Sequence, residues 1–154
     1  MSALVIRRHP DPILREVCAP VARFDAQLAG LAREMLACMY AAPGRGLAGP
    51  QVGVLDRLFV MDVTWKDGTP APVVCINPAI VGASDDTVVI EEGCLSIPDT
   101  PCLVRRPAAI TLVWQDVTGA AMQADLDGAA ARIAQHEIDH LDGILCIDRI
   151  VGAA

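Results

Sequence analysis

The segment Asp127–Leu141, DGAAARIAQHEIDHL, predicts a helix with candidate metal-binding and acid–base residues, and Gly143 stands just past its end. His136 and His140 are four residues apart, so they share one face of the helix, where two imidazoles can bind one metal ion. Glu137 lies about 100° further round the helix and flanks that ion, where it can take a proton from water. The pattern predicts metal-assisted hydrolysis, but it leaves the third ligand and the bond that is cut undetermined.

The rest of the chain divides into one earlier helix and a series of short strands. Phe24–Tyr40 has apolar residues at helical spacing, Asp25 is a candidate cap, and Pro43–Gly46 ends this helix. Arg7–Pro20 is predicted to be a proline-rich loop with a single helical turn. The predicted strands are Leu58–Val63, Val73–Ile76, Val88–Ile90, Ile110–Trp114 and Ile144–Ile150, with turns at Asp67-Gly68, Asn77-Pro78, Pro98 and Thr118-Gly119.

This order of elements predicts a single α+β domain that spans residues 1–154. Short antiparallel or mixed β-sheets are expected to pack around the central HExxH helix, with the N-terminal helix beside them. Hydrophobic residues make up 53% of the 154 residues and aromatic residues only 3%, so the core must be built from Ala, Val, Leu and Ile.

Charge and hydropathy exclude some classes of partner. The formal net charge is −7, which disfavours nucleic acid and anionic membrane surfaces. No apolar run approaches the roughly 18 residues of a membrane span, and the N-terminus does not have the order of a secretory signal. A cytoplasmic protein is therefore expected, whose six cysteines stay reduced in that compartment.

The third metal ligand has two candidates, both of them cysteines. Cys146 extends the helix motif to HExxHxxGxxC, but metalloproteases with a ligand at that place also need a methionine turn, and no methionine follows Cys146. Cys94 lies in Glu91–Pro98, EEGCLSIP, where Gly93 lets the backbone come close to a metal or a substrate. A bound divalent ion would keep the Cys94 thiol deprotonated as a soft ligand. The sequence favours Cys94.

A third segment, Gly44–Gln51, has the sequence GRGLAGPQ. Its many small residues suggest a backbone that lines a cleft, and Gln51 offers an amide donor that can stabilise an oxyanion. By itself this segment is more typical of a flexible loop after a helix. Its interpretation therefore depends on the other two segments.

Together the three segments resemble the signature motifs of the peptide deformylases: a GxGxAAxQ loop, an EGCLS segment and a QHExDH helix, in that order. Glu92–Ser96 and Gln135–His140 match in full, and the opening HPDPILREVCAPV and the helix that ends in Met39-Tyr40 are also similar to that family. The similarity extends over nearly the whole chain. The chain is identified as a member of this family, or as a divergent, deformylase-like relative.

The resemblance implies a metallo-amidohydrolase that removes the N-formyl group from N-formylated peptides and releases formate. The implied ligands of one divalent metal ion per chain are Cys94, His136 and His140. Glu137 would act as general base and then as acid. The Gln51 amide and the backbone N–H of Leu95 would receive the oxyanion as water attacks the formyl carbon.

The resemblance also implies which metals the site accepts. Members of the family commonly use Fe(II) and also work with Zn or Ni, and two histidines with one cysteine suit several borderline metals. Arg106 and Asp139 occupy positions that look like a pair supporting the ligands, although a plain surface ion pair fits the sequence equally well.

The implied substrate pocket departs from the family. Its expected residues are Gly44, Arg45, Gly46, Glu92, Gly93, Ala129 and Arg132. Arg45 replaces an aliphatic residue that helps to line the formyl-methionine pocket, and Ala129 and Arg132 replace bulky apolar residues. Arg132 is four residues before His136 and so lies on the same helical face. Outside this pocket, Gly49 replaces the second alanine of the loop motif.

These departures leave the specificity open. A guanidinium in a methionine pocket costs free energy unless it is paired or solvated. Either both arginines lie at the rim and formyl-methionine still binds, or the pocket accepts an acidic or polar first side chain. An enzyme that acts on a small N-formyl amine is a further alternative. A non-catalytic metal-binding relative is disfavoured, because a metal site alone does not need Glu137.

The implied partner is an N-formylated peptide, with no direct role for nucleic acid or a membrane. Family members that act on nascent chains often dock on the ribosome through a basic C-terminal helix. This sequence ends in Val151-Gly152-Ala153-Ala154, soon after Ile150. Ribosome association is therefore an open prediction.

Overall fold

A computed structural model describes residues 4–151 and confirms the α+β architecture. Its two α-helices within that range are α1 (Ala26–Ala41) and α2 (Gly128–Leu141). The strands are β1 (Gly46–Ala48), β2 (Leu58–Met61), β3 (Val73–Ala83), β4 (Thr87–Cys94), β5 (Ile97–Pro107), β6 (Ala109–Gln115) and β7 (Ala121–Asp127). Short 3-10 helices occupy Pro12–Arg15, Gly49–Val52, Trp65–Asp67 and Cys146–Arg149.

The strands form two sheets that share one helix. One sheet has the order β1-β2-β3-β6-β7, and β4 pairs with β5 in a separate hairpin. All these neighbours are antiparallel, so the alternative of mixed sheets is wrong; the one parallel feature in residues 4–151 is an isolated bridge between Ala19 and Asp56. Helix α2 contacts β1, β2, β6 and β7 of the larger sheet and β5 of the hairpin. Residues on α2 can therefore meet residues from both sheets.

Helix α1 begins and ends as its sequence predicts. The Asp25 side chain caps it by accepting a hydrogen bond from the backbone N–H of Leu28 at 3.0 Å. Leu28, Met35 and Met39 form its buried face, which packs with residues of β1 and β2. Just past its end, the N–H of Gly44 donates to the carbonyl of Met39, which directs the chain into β1.

The core contains more sulfur than its predicted composition of Ala, Val, Leu and Ile. Five of the six cysteines are buried and all six are free thiols. Met35 and Met39 are fully buried, and Phe59 is the one fully buried large aromatic side chain in the described part of the chain. Methionine and cysteine are soft enough to fill irregular gaps, so they supply volume that aromatic residues usually provide.

The predicted turn at Asn77-Pro78 is wrong, because β3 continues through it. The register of β3 against β6 shifts between Ile76 and Ala79, and Asn77 has a positive φ of 52°. Asparagine tolerates that conformation, and its amide also bonds both backbone groups of Val21. A β-bulge with a long-range anchor therefore stands where local signals indicate a chain reversal.

The prediction of a last strand at Ile144–Ile150 is also wrong. Its middle forms a 3-10 helix, and only Ile150 makes a bridge, to Val104. The Asp148 carboxylate accepts the backbone N–H of Leu145 at 2.9 Å, which holds the tight turn. Strands β1, β5 and β7 are absent from the sequence prediction, and β5 contains the Pro98 that is predicted as a turn.

Candidate metal centre

The second half of α2 is buried although most of it is polar. Every residue from Ala134 to Leu141 is buried. The buried polar side chains of this run are Gln135, His136, Glu137, Asp139 and His140. Buried polar groups cost free energy unless hydrogen bonds, ion pairs or a ligand compensate them. The partners of these side chains therefore define the site.

The β4–β5 hairpin brings Cys94 to this helix. Its register shifts between Glu92 and Cys94, and both of these side chains are buried while Gly93 between them is exposed. Single ligand atoms of Cys94, His136 and His140 all lie within 4.8 Å of one another, the only such group among residues 4–151. The Sγ of Cys94 is 3.4 Å from the Nε2 of His140. One thiol and two imidazoles at this separation fit a divalent metal ion.

The protein itself does not explain Gly93. Apart from Glu92 and Cys94 on either side, no residue among 4–151 has an atom within 4 Å of the place that a Cβ would take at this position. Gly93 does line the cavity described below, so the expected close approach to a substrate stays a prediction. Gly49 is different, because a Cβ there would lie 2.7 Å from the carbonyl oxygen of Val54. This departure from the family motif thus follows from backbone packing.

Glu92 orients His136. The Nδ1 of His136 lies 3.0 Å from Glu92 Oε1, which leaves Nε2 of the same ring available to a metal ion. Arg106 holds the same carboxylate with two nitrogens, Nη2 at 2.9 Å from Oε1 and Nε at 2.5 Å from Oε2. Burial raises the pKa of Glu92, but the hydrogen bonds from Arg106 and His136 outweigh burial and lower this pKa to about 2. Glu92 is therefore an anion in the folded protein.

The hydrogen bonds continue outward from Arg106. Its Nη1 donates to Asp139 Oδ2 at 3.0 Å, and Arg149 binds both oxygens of Asp139 at 2.6 and 3.0 Å. We call these four residues, Glu92, Arg106, Asp139 and Arg149, the charge chain. Arg106 is only 4% exposed, so the alternative of a plain surface pair is wrong. The sequence analysis missed Arg149, which no motif marks.

Glu137 is buried beside the ligand atoms without a hydrogen bond to its Oε1. Burial raises the pKa of Glu137 to about 7. A carboxyl group with a pKa near neutrality can both accept and return a proton. A Cβ at Gly46 would lie 2.5 Å from Glu137 Oε2, so a side chain at position 46 would displace this carboxylate from its place.

The two histidines differ in charge. Burial, followed by the positive charges of His136 and Arg106, lowers the pKa of His140 well below its ordinary value, so this imidazole is neutral. Burial also lowers the pKa of His136, but the charge of Glu137 and hydrogen bonds with Cys94 and Glu92 raise it well above the ordinary value. The surroundings of the two imidazoles therefore shift their pKa values in opposite directions.

Gln51 points its amide nitrogen at the ligand atoms. Its Oε1 accepts the backbone N–H of Ala48 at 2.9 Å, which fixes the orientation of the amide. Its Nε2 donates to Ser96 Oγ at 3.1 Å and lies 3.7 Å from the Sγ of Cys94. Leu95 stands in the turn between β4 and β5, next to the ladder pair of Cys94 and Ile97. The sequence analysis did not assign a role to Ser96, although this residue belongs to the EGCLS motif.

A cavity of about 460 Å³ opens at these groups. Gln51, Cys94, Leu95, His136 and Glu137 line it at the candidate metal centre. All seven predicted pocket residues also line it: Gly44, Arg45, Gly46, Glu92, Gly93, Ala129 and Arg132. The structure adds Pro43, Lys66, Glu91 and Ile133, which the sequence analysis did not single out.

A buried thiol, two imidazoles and an adjacent carboxyl group of raised pKa characterise a metal-dependent hydrolase. The family model of polypeptide deformylases matches residues 3–154. The chain is 50% identical over 141 residues to the peptide deformylase of Rhizobium meliloti. The aligned residues cover 92% of this chain and 81% of that relative. This chain belongs to the polypeptide deformylase family.

Solved structures agree with this assignment. The peptide deformylase of Thermotoga maritima superposes with a TM-score of 0.93 at 43% identity, covering 99% of this chain and 100% of that one. A peptide deformylase of Synechococcus elongatus, crystallised with actinonin, superposes with a TM-score of 0.93 at 40% identity over 97% of this chain and 81% of that one.

The family assignment settles the class of reaction. Members of the family are metal-dependent hydrolases of the formyl amide, so the prediction of a metallo-amidohydrolase is confirmed. At 50% identity the description as a divergent relative is unnecessary. No helix in residues 4–151 is both long and apolar enough to span a membrane.

Proposed function

We propose that this chain removes the N-formyl group from N-formylated peptides and releases formate and a free amino terminus. One observation carries the proposal beyond family membership: Cys94, His136, Glu137 and Gln51 line the same cavity, and the ligand atom of His140 lies within 4.8 Å of those of Cys94 and His136. A formyl group that reaches this point contacts a metal site, a proton acceptor and a hydrogen-bond donor together.

Cys94, His136 and His140 would hold the metal ion. When bound, a divalent ion supplies Lewis acidity, which polarises a carbonyl and makes water more acidic. Fe(II) is the metal that we propose first, with Zn and Ni as alternatives, since one thiolate and two imidazoles suit all three. Glu92 and Arg106 orient His136 for this purpose, as the hydrogen bonds to its Nδ1 and to the carboxylate indicate.

Glu137 moves the proton. Its carboxylate accepts a proton from the water whose oxygen attacks the formyl carbon. It then returns this proton to the amide nitrogen as the C–N bond breaks, which leaves formate and the free amine. A pKa of about 7 supports both roles, because the group is neither too weak a base nor too weak an acid near neutral pH.

The Gln51 amide and the backbone N–H of Leu95 bind the oxygen of the formyl group as it gains negative charge. The hydrogen bonds of Gln51 with Ala48 and Ser96 hold its Nε2 in place before substrate arrives. Donors that are positioned in advance stabilise such an oxyanion without reorganisation, and each contributes about 3 kcal/mol in comparable sites.

The substitution Glu137→Gln tests this assignment, because it removes the acid–base group and keeps its volume. We expect formate release to fall about 10²- to 10⁴-fold while the metal content per chain stays at the wild-type level. Glu16→Gln, on an exposed glutamate far from the cavity, is the matched control. Formate release is measured anaerobically with Fe(II) and repeated with Zn and Ni. Unchanged turnover in Glu137→Gln would refute the assigned role. Absence of formate release from the metal-loaded wild type would favour a metal-binding relative that is not an enzyme.

We also propose a reducing, cytoplasmic location, which the six free thiols support. A substrate made during translation would bring the protein close to the ribosome. Co-sedimentation with ribosomes that carry formylated nascent chains tests this association, and recovery equal to that with vacant ribosomes would count against it.

A further inference from the structure

The cavity wall away from the ligand atoms is basic. It carries three cationic side chains, Arg45, Lys66 and Arg132, which we call the basic wall. None of them forms a salt bridge within residues 4–151. The chain as a whole has a net charge of −7, so this clustering opposes its average composition. The Nζ of Lys66 lies 5.7 Å from the centre of the Trp65 ring, and no carboxylate of the described residues neutralises any of the three charges. Cations without an acidic partner that line one cavity of an acidic protein indicate an anionic ligand.

Acidic residues of the same cavity do not neutralise this wall. The Glu92 carboxylate is bound by Arg106 and His136, and Glu137 lies at the reacting end. Glu91 is exposed at the rim and forms no salt bridge within the described residues.

Arg132 is the most constrained of the three cations. It lies one helical turn before His136, and its Nε is buried without a hydrogen-bond partner. A buried Nε–H without a partner loses hydration and gains nothing in return, which is unfavourable unless a ligand completes the site. Ala129, one turn earlier on α2, is small and leaves space beside it.

The chemistry of the substrate determines what reaches this wall. In a formylated peptide, the α-carbon of the first residue is two bonds from the formyl carbon. Once the formyl group is at Glu137 and Gln51, the first side chain therefore has to enter the same cavity. A cavity of about 460 Å³ has room for the first side chain together with the adjoining backbone.

We infer that the basic wall selects formylated peptides whose first residue carries a carboxylate, aspartate or glutamate. This inference rests on the proposed deformylation. The carboxylate binds the Arg132 guanidinium, with Arg45 and Lys66 adding long-range attraction from the exposed side of the cavity. A charge-assisted hydrogen bond of this kind corresponds to about a 10- to 100-fold preference over a neutral side chain of the same shape.

Three C-terminally amidated peptides test the inference: formyl-Glu-Ala-Ser, formyl-Gln-Ala-Ser and formyl-Met-Ala-Ser. The amide removes the terminal carboxylate, so glutamate and glutamine differ only in the charge of the first side chain. We expect kcat/KM for formate release to be at least tenfold higher for the glutamate peptide than for the glutamine peptide, and no lower than for the methionine peptide. Raising the salt concentration should reduce this ratio.

Variants assign the preference to the wall. In Arg132→Met and in the double variant Arg45→Met with Arg132→Met, we expect the ratio of kcat/KM for the glutamate peptide to that for the glutamine peptide to approach one. Arg132→Lys, which keeps the charge, should restore part of the ratio. Arg23→Met, on an exposed arginine outside the cavity, is the matched control and should leave the ratio unchanged.

The outcomes separate the two proposals. Formate from all three peptides with equal kcat/KM for glutamate and glutamine would overturn the inference about the basic wall and leave deformylation standing. A clear preference for the methionine peptide that persists in the double variant would also overturn the inference about the basic wall and leave deformylation standing. Absence of formate from every peptide, with the metal bound, would overturn the proposed function itself.

Discussion

Two groups of charged side chains lie near His136, and they differ in whether the charges are paired. On one side, the charge chain begins at Glu92, which holds the Nδ1 of His136. Hydrogen bonds connect it through Arg106 and Asp139 to Arg149. On the other side, the three cations of the basic wall face a cavity and form no salt bridge within residues 4–151. The difference indicates two roles: paired buried charges orient a ligand of the metal, and unpaired ones are free to bind a substrate.

The substitution Arg106→Met should have the largest effect on stability. It leaves the carboxylates of Glu92 and Asp139 without their shared cation, and removing one partner of a buried ion pair costs about 3–5 kcal/mol. Urea unfolding measures this loss. Arg105→Met is the control, because Arg105 is exposed and its side chain bonds only the Thr87 hydroxyl within residues 4–151. Equal free energies of unfolding in the two variants would show that the charge chain does not stabilise the fold.

Glu92→Gln should weaken metal binding by about 10- to 100-fold, since partners that orient a metal-binding histidine contribute that much to affinity. In this variant a neutral amide oxygen replaces the Glu92 carboxylate as the acceptor for the Nδ1–H of His136. Competition with a chelator measures the affinity. The neighbouring exposed Glu91→Gln serves as control, and a similar loss in both variants would assign the effect to the hairpin instead of to Glu92.

Arg149→Met should cost less than about 1 kcal/mol, because the Arg149 side chain is 42% exposed and water screens its pair with Asp139. The free energy of unfolding decides this prediction as well. A loss that approaches the one in Arg106→Met would mean that the outer arginine and the inner one act as a single unit.

Arg132→Met should change stability least, and in the favourable direction. The Nε of Arg132 is buried without a partner, so an apolar side chain there removes an unfavourable desolvation. We expect the free energy of unfolding to stay within about 0.5 kcal/mol of the wild type or to rise. A drop of more than that amount would show that Arg132 has a structural partner and would break the contrast between the two groups of charges.

The parts of the site that local spacing controls were predictable. Residues four apart on a helix share a face, so the pairing of His136 with His140 needed only the helical prediction of that segment. The cap at Asp25 was predictable for the same reason, because its partner Leu28 is three residues away. The three motifs also allowed Cys94 and Gln51 to be assigned by resemblance.

The parts that long-range contacts control were not predictable. Asn77-Pro78 has the composition of a turn, yet contacts with Val21 and Gln115 hold it inside β3 as a bulge. Arg149 approaches Asp139 because the chain after α2 folds back as a 3-10 helix, whereas the sequence pattern indicated a strand. A hydropathy pattern describes residues near each other in the sequence, so it does not predict contacts between distant segments.

The sequence by itself determined the chemistry: two imidazoles and a carboxyl group on one helix, with a thiol and an amide in matching motifs. Only the tertiary structure decided the state of each charge. It buried Arg106 between two carboxylates and left Arg132 without a salt bridge in a cavity. The physical reason is that the pairing and the pKa of a charge depend on the groups that folding places around it, and here these come from distant strands and helices.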